Sequence, residues 1–377
     1  MKFRVDRDVI ADAVAWAARS LPIRSTNPVL TGLHIVATQE GLVFSGNDGD
    51  VSARVTTSAD VAETGTVLVP GRLLSDITKS LSREDKVVEI IVDASRASLT
   101  CGRSAFTIPT MPVAEYPPLP ELPESSGVIN GAEFAQAINQ VAVASSRDET
   151  LPAFTGIKID IEGSVITLAA TDRYRLAMRE IDWSPTKTSL STSALVPAKF
   201  LSEASKALIS ATDVSLALAS VSEGIIGIEG AGKQSTSRML AADFPKYKNL
   251  LPSESNTVTQ IRAESLKEAV KRVSLVLDRE QPVSIHFSGS EAIVRAGGGS
   301  GDIAKAEEVI ECLTTGDDIS IAFNPHYLLD GLSVLDGDIA VIAMTISSKP
   351  AVITSAKDID AQPDDSFKYL LMPIRQP

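Results

Sequence analysis

Cysteine is nearly absent from this chain: Cys101 and Cys312 are the only two in 377 residues. They lie far apart and without metal spacing, which excludes a disulfide framework and points to a reducing compartment. Histidine is scarce as well. His34, His286 and His326 form no pair at metal-ligand spacing, so neither a metal nor another cofactor is expected. Aromatic residues make up 5%, so the cores must rest on Leu, Ile, Val and Ala. No apolar run approaches the ~20 residues of a membrane span. The opening Met1-Lys2-Phe3-Arg4-Val5-Asp6 has no apolar stretch like that of a signal peptide. The expected location is therefore cytoplasmic, with no membrane contact. Positive charge is in deficit: 35 Lys and Arg face 48 Asp and Glu, a net charge of −13. A protein that holds nucleic acid by summed attraction is normally basic. Any nucleic-acid surface here must be a local patch on an acidic body.

Catalytic signals are weak. Gly230-Ala231-Gly232-Lys233 lacks the spacing and the hydroxyl residue of a phosphate loop and reads as a hairpin turn. Gly297-Gly298-Gly299-Ser300-Gly301 is followed by no apolar helix pattern and reads as a loop. Asp172-Arg173-Tyr174-Arg175 is charged, but no Ser–His or Cys–His arrangement accompanies it. An enzyme is not expected.

What is present is repetition at a period near 125 residues. Val69-Pro70-Gly71-Arg72-Leu73-Leu74 recurs as Val196-Pro197-Ala198-Lys199-Phe200-Leu201, an offset of 127. A further 127 lands on Phe323-Asn324-Pro325-His326-Tyr327-Leu328. Asn27-Pro28-Val29-Leu30-Thr31-Gly32-Leu33 recurs 124 positions on as Leu151-Pro152-Ala153-Phe154-Thr155-Gly156-Ile157. Glu115-Tyr116-Pro117 recurs 128 positions on as Asp243-Phe244-Pro245. A solenoid unit runs roughly 20 to 50 residues, and this period is the size of a whole domain. Two proline-punctuated segments, 117–126 and 251–256, cut the chain into units 1–119, 127–250 and 257–377.

Each unit predicts two helices. The first spans 8–20, 132–145 and 264–277, with apolar stripes at i, i+3, i+4 and i+7: Val9, Ile10, Ala13, Val14 and Ala17, then Phe134, Ala137, Ile138 and Val141, then Leu266, Ala269, Val270 and Val273. The second spans 71–81, 198–208 and 325–335, where Leu73, Leu74, Ile77 and Leu81 make the stripe of the first copy. Short β-rich runs at 65–69, 87–92, 98–101, 157–161, 165–169, 214–219 and 340–346 are separated by glycines and polar turns. The pattern implies an α+β fold with antiparallel sheets and the helices gathered on one side.

Positive charge repeats with the units. Arg72, Lys79 and Arg83 are 7 and 11 residues apart, within about 20° of one direction on the face opposite the stripe. Lys199 and Lys206 occupy the equivalent positions of the second unit, and His326 and Ser333 those of the third. Lys267, Lys271 and Arg272 lie on the first helix of unit three, and Arg24 and Arg147 follow the first helices of units one and two. A single charged face is usually only a solvated one. Reuse of one cationic register in two units favours a common task.

The tripled unit resembles the bacterial replicative sliding clamp, the beta subunit of DNA polymerase III. The resemblance spans the whole chain and rests on Asp48-Gly49-Asp50, Thr171-Asp172-Arg173-Tyr174-Arg175-Leu176, the Phe244-Pro245 corner and the closing Tyr369-Leu370-Leu371-Met372-Pro373-Ile374-Arg375. It implies three clamp domains per chain and a head-to-tail homodimer ring with sheets outside and helices lining the hole. Double-stranded DNA passes through that hole without being read in sequence. Twelve helices at ~8–10 Å spacing make a circumference of about 100–120 Å, and a duplex on the order of 20 Å across fits inside. Arg24, Arg72, Lys79, Arg147, Lys199 and Lys206 would face the DNA. The resemblance further implies a pocket for short linear motifs of the polymerase III alpha subunit, the clamp loader, other polymerases and repair factors. Phe154, Thr171, Arg173, Tyr174, Arg175, Leu176, Pro245, Asn249 and Leu250 match it from unit two. Asn324, Tyr327, Pro350, Leu370, Met372, Pro373 and Arg375 match it from unit three. Arg173-Tyr174 replaces a Gly-His pair common in the family, and Asn249 stands where a basic residue is common.

Leu275 and Val276 are apolar where a helix should end at the surface, and are expected at the dimer interface. A rival reading is a repeat-built interaction scaffold that does not encircle DNA. The cationic register separates the two, because such a scaffold has no reason to reuse it.

Overall fold

The repeated apolar spacing becomes helix wherever it occurs. In the computed structural model these are α1 (Arg7–Ala17), α2 (Gly71–Ser80), α3 (Gly131–Ala142), the single turn α4 (Pro152–Thr155), α5 (Ala198–Ala207), α6 (Ala263–Val273) and α7 (Pro325–Ser333). Short 3-10 turns, Ala18–Ser20 and Ser274–Val276, extend α1 and α6. The structure describes residues 1–218, 224–252, 254–278, 281–297 and 304–375. Residue 219 of one expected strand, Ser253 of the second linker and 298–301 of the glycine run lie outside these.

Polar caps set the helix starts. The Asp6 carboxylate accepts from the Asp8 and Val9 amides, at 2.8 and 3.2 Å. Asn130, 124 positions on, does the same for Ala132 and Glu133, at 3.0 and 3.2 Å. Asn324 caps α7 through the His326 and Tyr327 amides, at 2.9 and 3.4 Å. Each such bond satisfies an amide that the helix itself leaves unpaired.

The chain forms two compact units. The first comprises Met1–Ala135, Trp183–Thr188 and Lys199–Met239, the second Gln136–Asp182, Ser189–Ala198 and Leu240–Pro377. The first holds a five-stranded sheet, in the order Asp60–Glu63, Lys2–Asp6, Val87–Val92, Arg96–Cys101, Ser104–Pro109. Its nine-stranded sheet runs from Ser184–Pro185 through Gly127–Ile129, Val214–Leu218, Ile225–Gly230 and Lys233–Arg238. It continues through Val51–Thr57, Gly41–Asn47 and Gly32–Thr38 to Gly65–Pro70. The second unit holds one twelve-stranded sheet, in which Arg175–Asp182 pairs with Asp364–Leu371 and Ile339–Met344 pairs with Thr257–Arg262. Every strand pair is antiparallel, as short connections require. The compact units cut across the sequence repeats because two sheets run on from repeat to repeat, at Ser235↔Ala53 and at Leu176↔Leu370.

Aliphatic side chains fill the interiors. Ile10, Ala13, Val14 and Ala17 of α1 are buried where the helix packs on α2 and on Val51–Thr57. The stripes of α3 and α6 are buried throughout. Two expectations fail. Val9 is 37% exposed and Leu73 is 44% exposed, because Trp16 on α1 and the small Ser75 and Thr78 on α2 take the inward positions. Gly230–Lys233 is a hairpin turn, with Ala231 and Gly232 at φ 50° and 74°, the pair of positive angles that matches strand twist in a two-residue loop.

Candidate functional site

In the first unit, the side chains of Arg24, Arg72, Lys79, Lys199 and Lys206 are all exposed. Helices α2 and α5 bury their apolar faces, which leaves the cationic register outward. Lys79 and Lys206 fall in the last turns, where the helix dipole favours a cation. In the second unit Arg147 is exposed as well. Among the described residues none of these six cations has a carboxylate within 4.0 Å. The cations of α6 differ. Lys267 pairs with Glu264, Lys271 with Glu268 at 2.8 Å, and Arg272 with Glu308 at 2.6 Å. All three are taken up, Lys267 and Lys271 by acids of the helix and Arg272 by an acid of strand Lys305–Gly316.

The second unit also contains a cavity of about 530 Å³. Its lining includes Arg147, Asp148, Phe154, Arg173, Tyr174, Arg175, His326, Tyr327 and Asp330. The loop between strands Val165–Thr171 and Arg175–Asp182 is folded by its own polar side chains. Asp172 Oδ1 accepts from the Tyr174 and Arg175 amides, at 3.0 and 3.1 Å. The buried Thr171 hydroxyl donates to the Arg175 carbonyl at 2.6 Å. This turn aims Tyr174 outward, stacked on Tyr327 with ring centroids 6.2 Å apart. The Met372 amide donates to the Tyr174 carbonyl at 2.9 Å, which ties the last strand's end to the loop.

Arg175 is the centre of a buried network. Its guanidinium donates to Asp172 at 2.9 Å, to Asp330 at 2.6 Å and to the Tyr369 hydroxyl at 3.4 Å, and lies 4.3 Å from the Tyr327 ring centroid. Burial alone pushes its pKa down, but Tyr369, Asp330 and Asp172 hold it above the ordinary value. Burial raises the Tyr369 phenol well above its usual range, and that hydroxyl donates to the Tyr327 carbonyl at 2.8 Å. Helix α7 comes this close only because residue 331 is glycine. A Cβ there would sit 2.4 Å from the Tyr369 ring.

The residues expected to form one partner pocket are sorted by the structure. Phe154, Arg173, Tyr174, Arg175 and Tyr327 share the cavity. Arg175, one of the residues matched to the pocket, spends its donors internally. Leu176 and Leu370, also matched to the pocket, are 1% and 3% exposed in a cluster with Ala169, Met178 and Tyr247, where they pair across the strands. They are core residues and line neither hollow. Pro245 and Asn249 line a separate hollow of about 550 Å³ with Lys158, Asp160 and Phe244. Leu250 and Met372 are exposed at 49% and 40%. Pro350 and Pro373 are half-buried, Arg375 is exposed, and Asn324 is spent as a helix cap.

The first unit repeats the cavity's register but closes it. Phe200 and Glu203 stand 127 positions before Tyr327 and Asp330, in a hollow of about 20 Å³ with Trp16, Arg19 and Ala204. The Trp16 ring carries the Arg19 and Lys233 cations at 5.5 and 5.8 Å and fills the space. Trp16 stands seven residues after Val9, at the edge of the α1 stripe, so periodicity offered the position but not the size of hollow it fills. Elsewhere, Leu275 is 84% exposed and Val276 half-buried. Among the described residues no cluster of three or more His, Cys, Asp or Glu could hold a metal, and no helix is long and apolar enough to cross a membrane.

Models of the DNA polymerase III beta subunit match the chain end to end: the N-terminal domain at residues 1–120, the central domain at 128–246 and the C-terminal domain at 248–375. The beta sliding clamp of Streptomyces coelicolor is 51% identical over 377 residues, all of this chain and 99% of that one. The beta sliding clamp of Bacillus subtilis is 26% identical over 387 residues, with both chains fully covered. Among solved structures, a Pseudomonas aeruginosa sliding clamp bound to griselimycin superposes with a TM-score of 0.91 at 25% identity, both chains fully covered. The Bacillus subtilis clamp superposes at 0.90 and 26%, again over both whole chains.

Proposed function

The chain belongs to the family of the DNA polymerase III beta subunit, the bacterial sliding clamps, and we propose that it works by topology, without a catalytic step of its own. It is a DNA sliding clamp that confers processivity on the replicative polymerase as a ring-shaped homodimer around duplex DNA. The tripled landmarks support three domains, at 1–119, 127–250 and 257–377.

One observation carries the DNA reading. Arg24, Arg72, Lys79, Arg147, Lys199 and Lys206 are exposed cations without carboxylate partners among the described residues, while each of the α6 cations Lys267, Lys271 and Arg272 has one. Cations without acidic partners can neutralise phosphates and release the counterions condensed on them, which favours binding and reads no bases. The acidic remainder keeps DNA from adhering elsewhere, so the ring slides.

Two open strand edges support closure into a dimer. Ser104–Pro109 ends the five-stranded sheet of the first unit. Among the described residues, 305–311 of strand Lys305–Gly316 pair on one side only, with Glu291–Gly297. Glu311 stands on the second edge without a cation within 4.0 Å among the described residues, beside Glu307 and Glu308, which Arg295 and Arg272 already hold, and Arg96 and Arg103 flank the first. Opposite charge and open backbone groups suit a strand pairing between two copies. The cavity around Tyr174 and Tyr327 is the proposed seat of the linear motifs of the polymerase, the clamp loader and repair factors.

Changing Arg24, Arg72, Lys79, Lys199 and Lys206 to Glu tests the DNA reading. The unfolding temperature should hold, because all five side chains are exposed. Retention on DNA should fall most at low salt, where screening is least. Unaltered retention at low ionic strength overturns the assignment.

A further inference from the structure

Arg173 has φ +82°. Side chains of L-residues avoid this region and glycine enters it freely. Among the described residues the only other non-glycine at positive φ is Ala231, in the tight hairpin turn. Glycine would serve the 171–175 turn better. An outlier of this kind, at the mouth of a binding cavity, is a reason to ask what the side chain does.

The Arg173 side chain is exposed, and its guanidinium carbon lies 5.8 Å from the ring centroids of both Phe154 and Tyr174. The acids around the cavity already have donors. Asp172 Oδ1 takes the Tyr174 and Arg175 amides, and Oδ2 takes the Arg175 side chain. Asp330 Oδ2 takes Arg175. Asp148 Oδ1 takes the Thr150 amide at 3.0 Å and hydroxyl at 2.6 Å. Arg173 and Arg147 are the cations of this lining without a carboxylate within 4.0 Å among the described residues. The lining holds as many acids as arginines and Asp148 keeps its charge near Arg173, but Arg173 and Arg147 are the guanidinium groups whose donors no carboxylate has taken among the described residues.

We infer that Arg173 is a specificity-determining residue, which reads a carboxylate carried by the partner's linear motif beside an apolar side chain that packs against the stacked Tyr174 and Tyr327 rings. This rests on the peptide reading of the cavity. A guanidinium flanked by two rings keeps few conformations and presents a planar fork, the geometry that a carboxylate accepts bidentately. The aromatic faces also exclude water from one side of the pair.

The test is calorimetric, on the full-length dimer, with two synthetic peptides that end in Glu-Leu-Phe and Gln-Leu-Phe and are otherwise identical. Wild type should favour the Glu peptide by about three- to tenfold, the range of a partly exposed charge-assisted pair. Arg173→Gly should bind both peptides equally and unfold no lower than wild type, since glycine takes this φ without strain. If that variant does unfold lower, Arg173→Gln supplies the comparison without charge. Equal wild-type affinities, or a preference that survives Arg173→Gly, would overturn the inference. Tyr327→Ala separates the two levels. If it weakens both peptides while wild type does not discriminate, the cavity is the seat and only the role of Arg173 fails. If it leaves both affinities unchanged, the peptide reading fails, and the inference with it.

Discussion

Replacing Leu275 with Ala should open the ring without harming the fold. In the single chain this side chain is 84% exposed, so its removal leaves no cavity and should shift the unfolding temperature little. In the dimer it is expected to be buried against the partner. Full burial of a leucine side chain contributes about 1.5–3 kcal/mol. A head-to-tail dimer has two equivalent interfaces, so each substitution counts twice, for roughly 3–6 kcal/mol. At about 1.4 kcal/mol per decade, the dimer dissociation constant should rise by roughly two to four orders of magnitude. Charging the site, with Leu275→Asp and Val276→Asp together, should leave monomers at micromolar concentration. Sedimentation velocity across a dilution series measures the shift. A variant that dissociates at the same concentration as wild type would refute the placement, and one that unfolds well below it would show that Leu275 belongs to the core.

Two further outcomes follow from local contacts. Burial, then the nearby Arg54 charge, holds the pKa of His34 below the ordinary 6.5. The unfolded chain therefore takes up the proton first, and stability falls as pH drops below about 6.5 until the folded pKa is passed. Thermal unfolding of His34→Gln should show a flatter profile across that window, and a slope equal to wild type would contradict it. Gly331→Ala puts a methyl 2.4 Å from the Tyr369 ring. It should cost about 1–3 kcal/mol by overpacking and weaken peptide binding as α7 and Tyr327 shift. Denaturant unfolding and peptide titration measure the two effects, and an undisturbed protein would mean that the helix yields freely.

Local pattern carried much of the fold. The helix stripes, the Gly230–Lys233 turn and strand Val87–Val92 could be read from periodicity and turn chemistry, because neighbours in sequence decide them. The pairing of the α6 cations was also within reach, since Glu264 and Glu268 stand three residues before Lys267 and Lys271. Other features depend on partners distant in the chain. Asp330 meets Arg175 across 155 positions, so nothing near Arg175 marks its donors as taken. Leu176 and Leu370 match the pocket by resemblance, but strand pairing puts them in the buried core. On α1 Trp16 goes inward and Val9 stays at the surface, and on α2 Ser75 and Thr78 go inward in place of Leu73, because the facing elements decide which flank of each stripe is covered. Positive φ at Arg173 is hidden by the residue type, and its one signal is the glycine that the family commonly has there.

Topology is the central claim, and retention on DNA of two shapes tests it most directly. The clamp is loaded onto a nicked circular plasmid, the free protein is removed by gel filtration, and half of the sample is cut once with a restriction enzyme. A ring held by encirclement stays with the circle at a salt concentration that screens the cationic helices, and is lost from the cut DNA by sliding off its ends. Equal retention on both shapes, falling in step as salt is raised, would mean that surface charge holds the protein and that it does not encircle DNA.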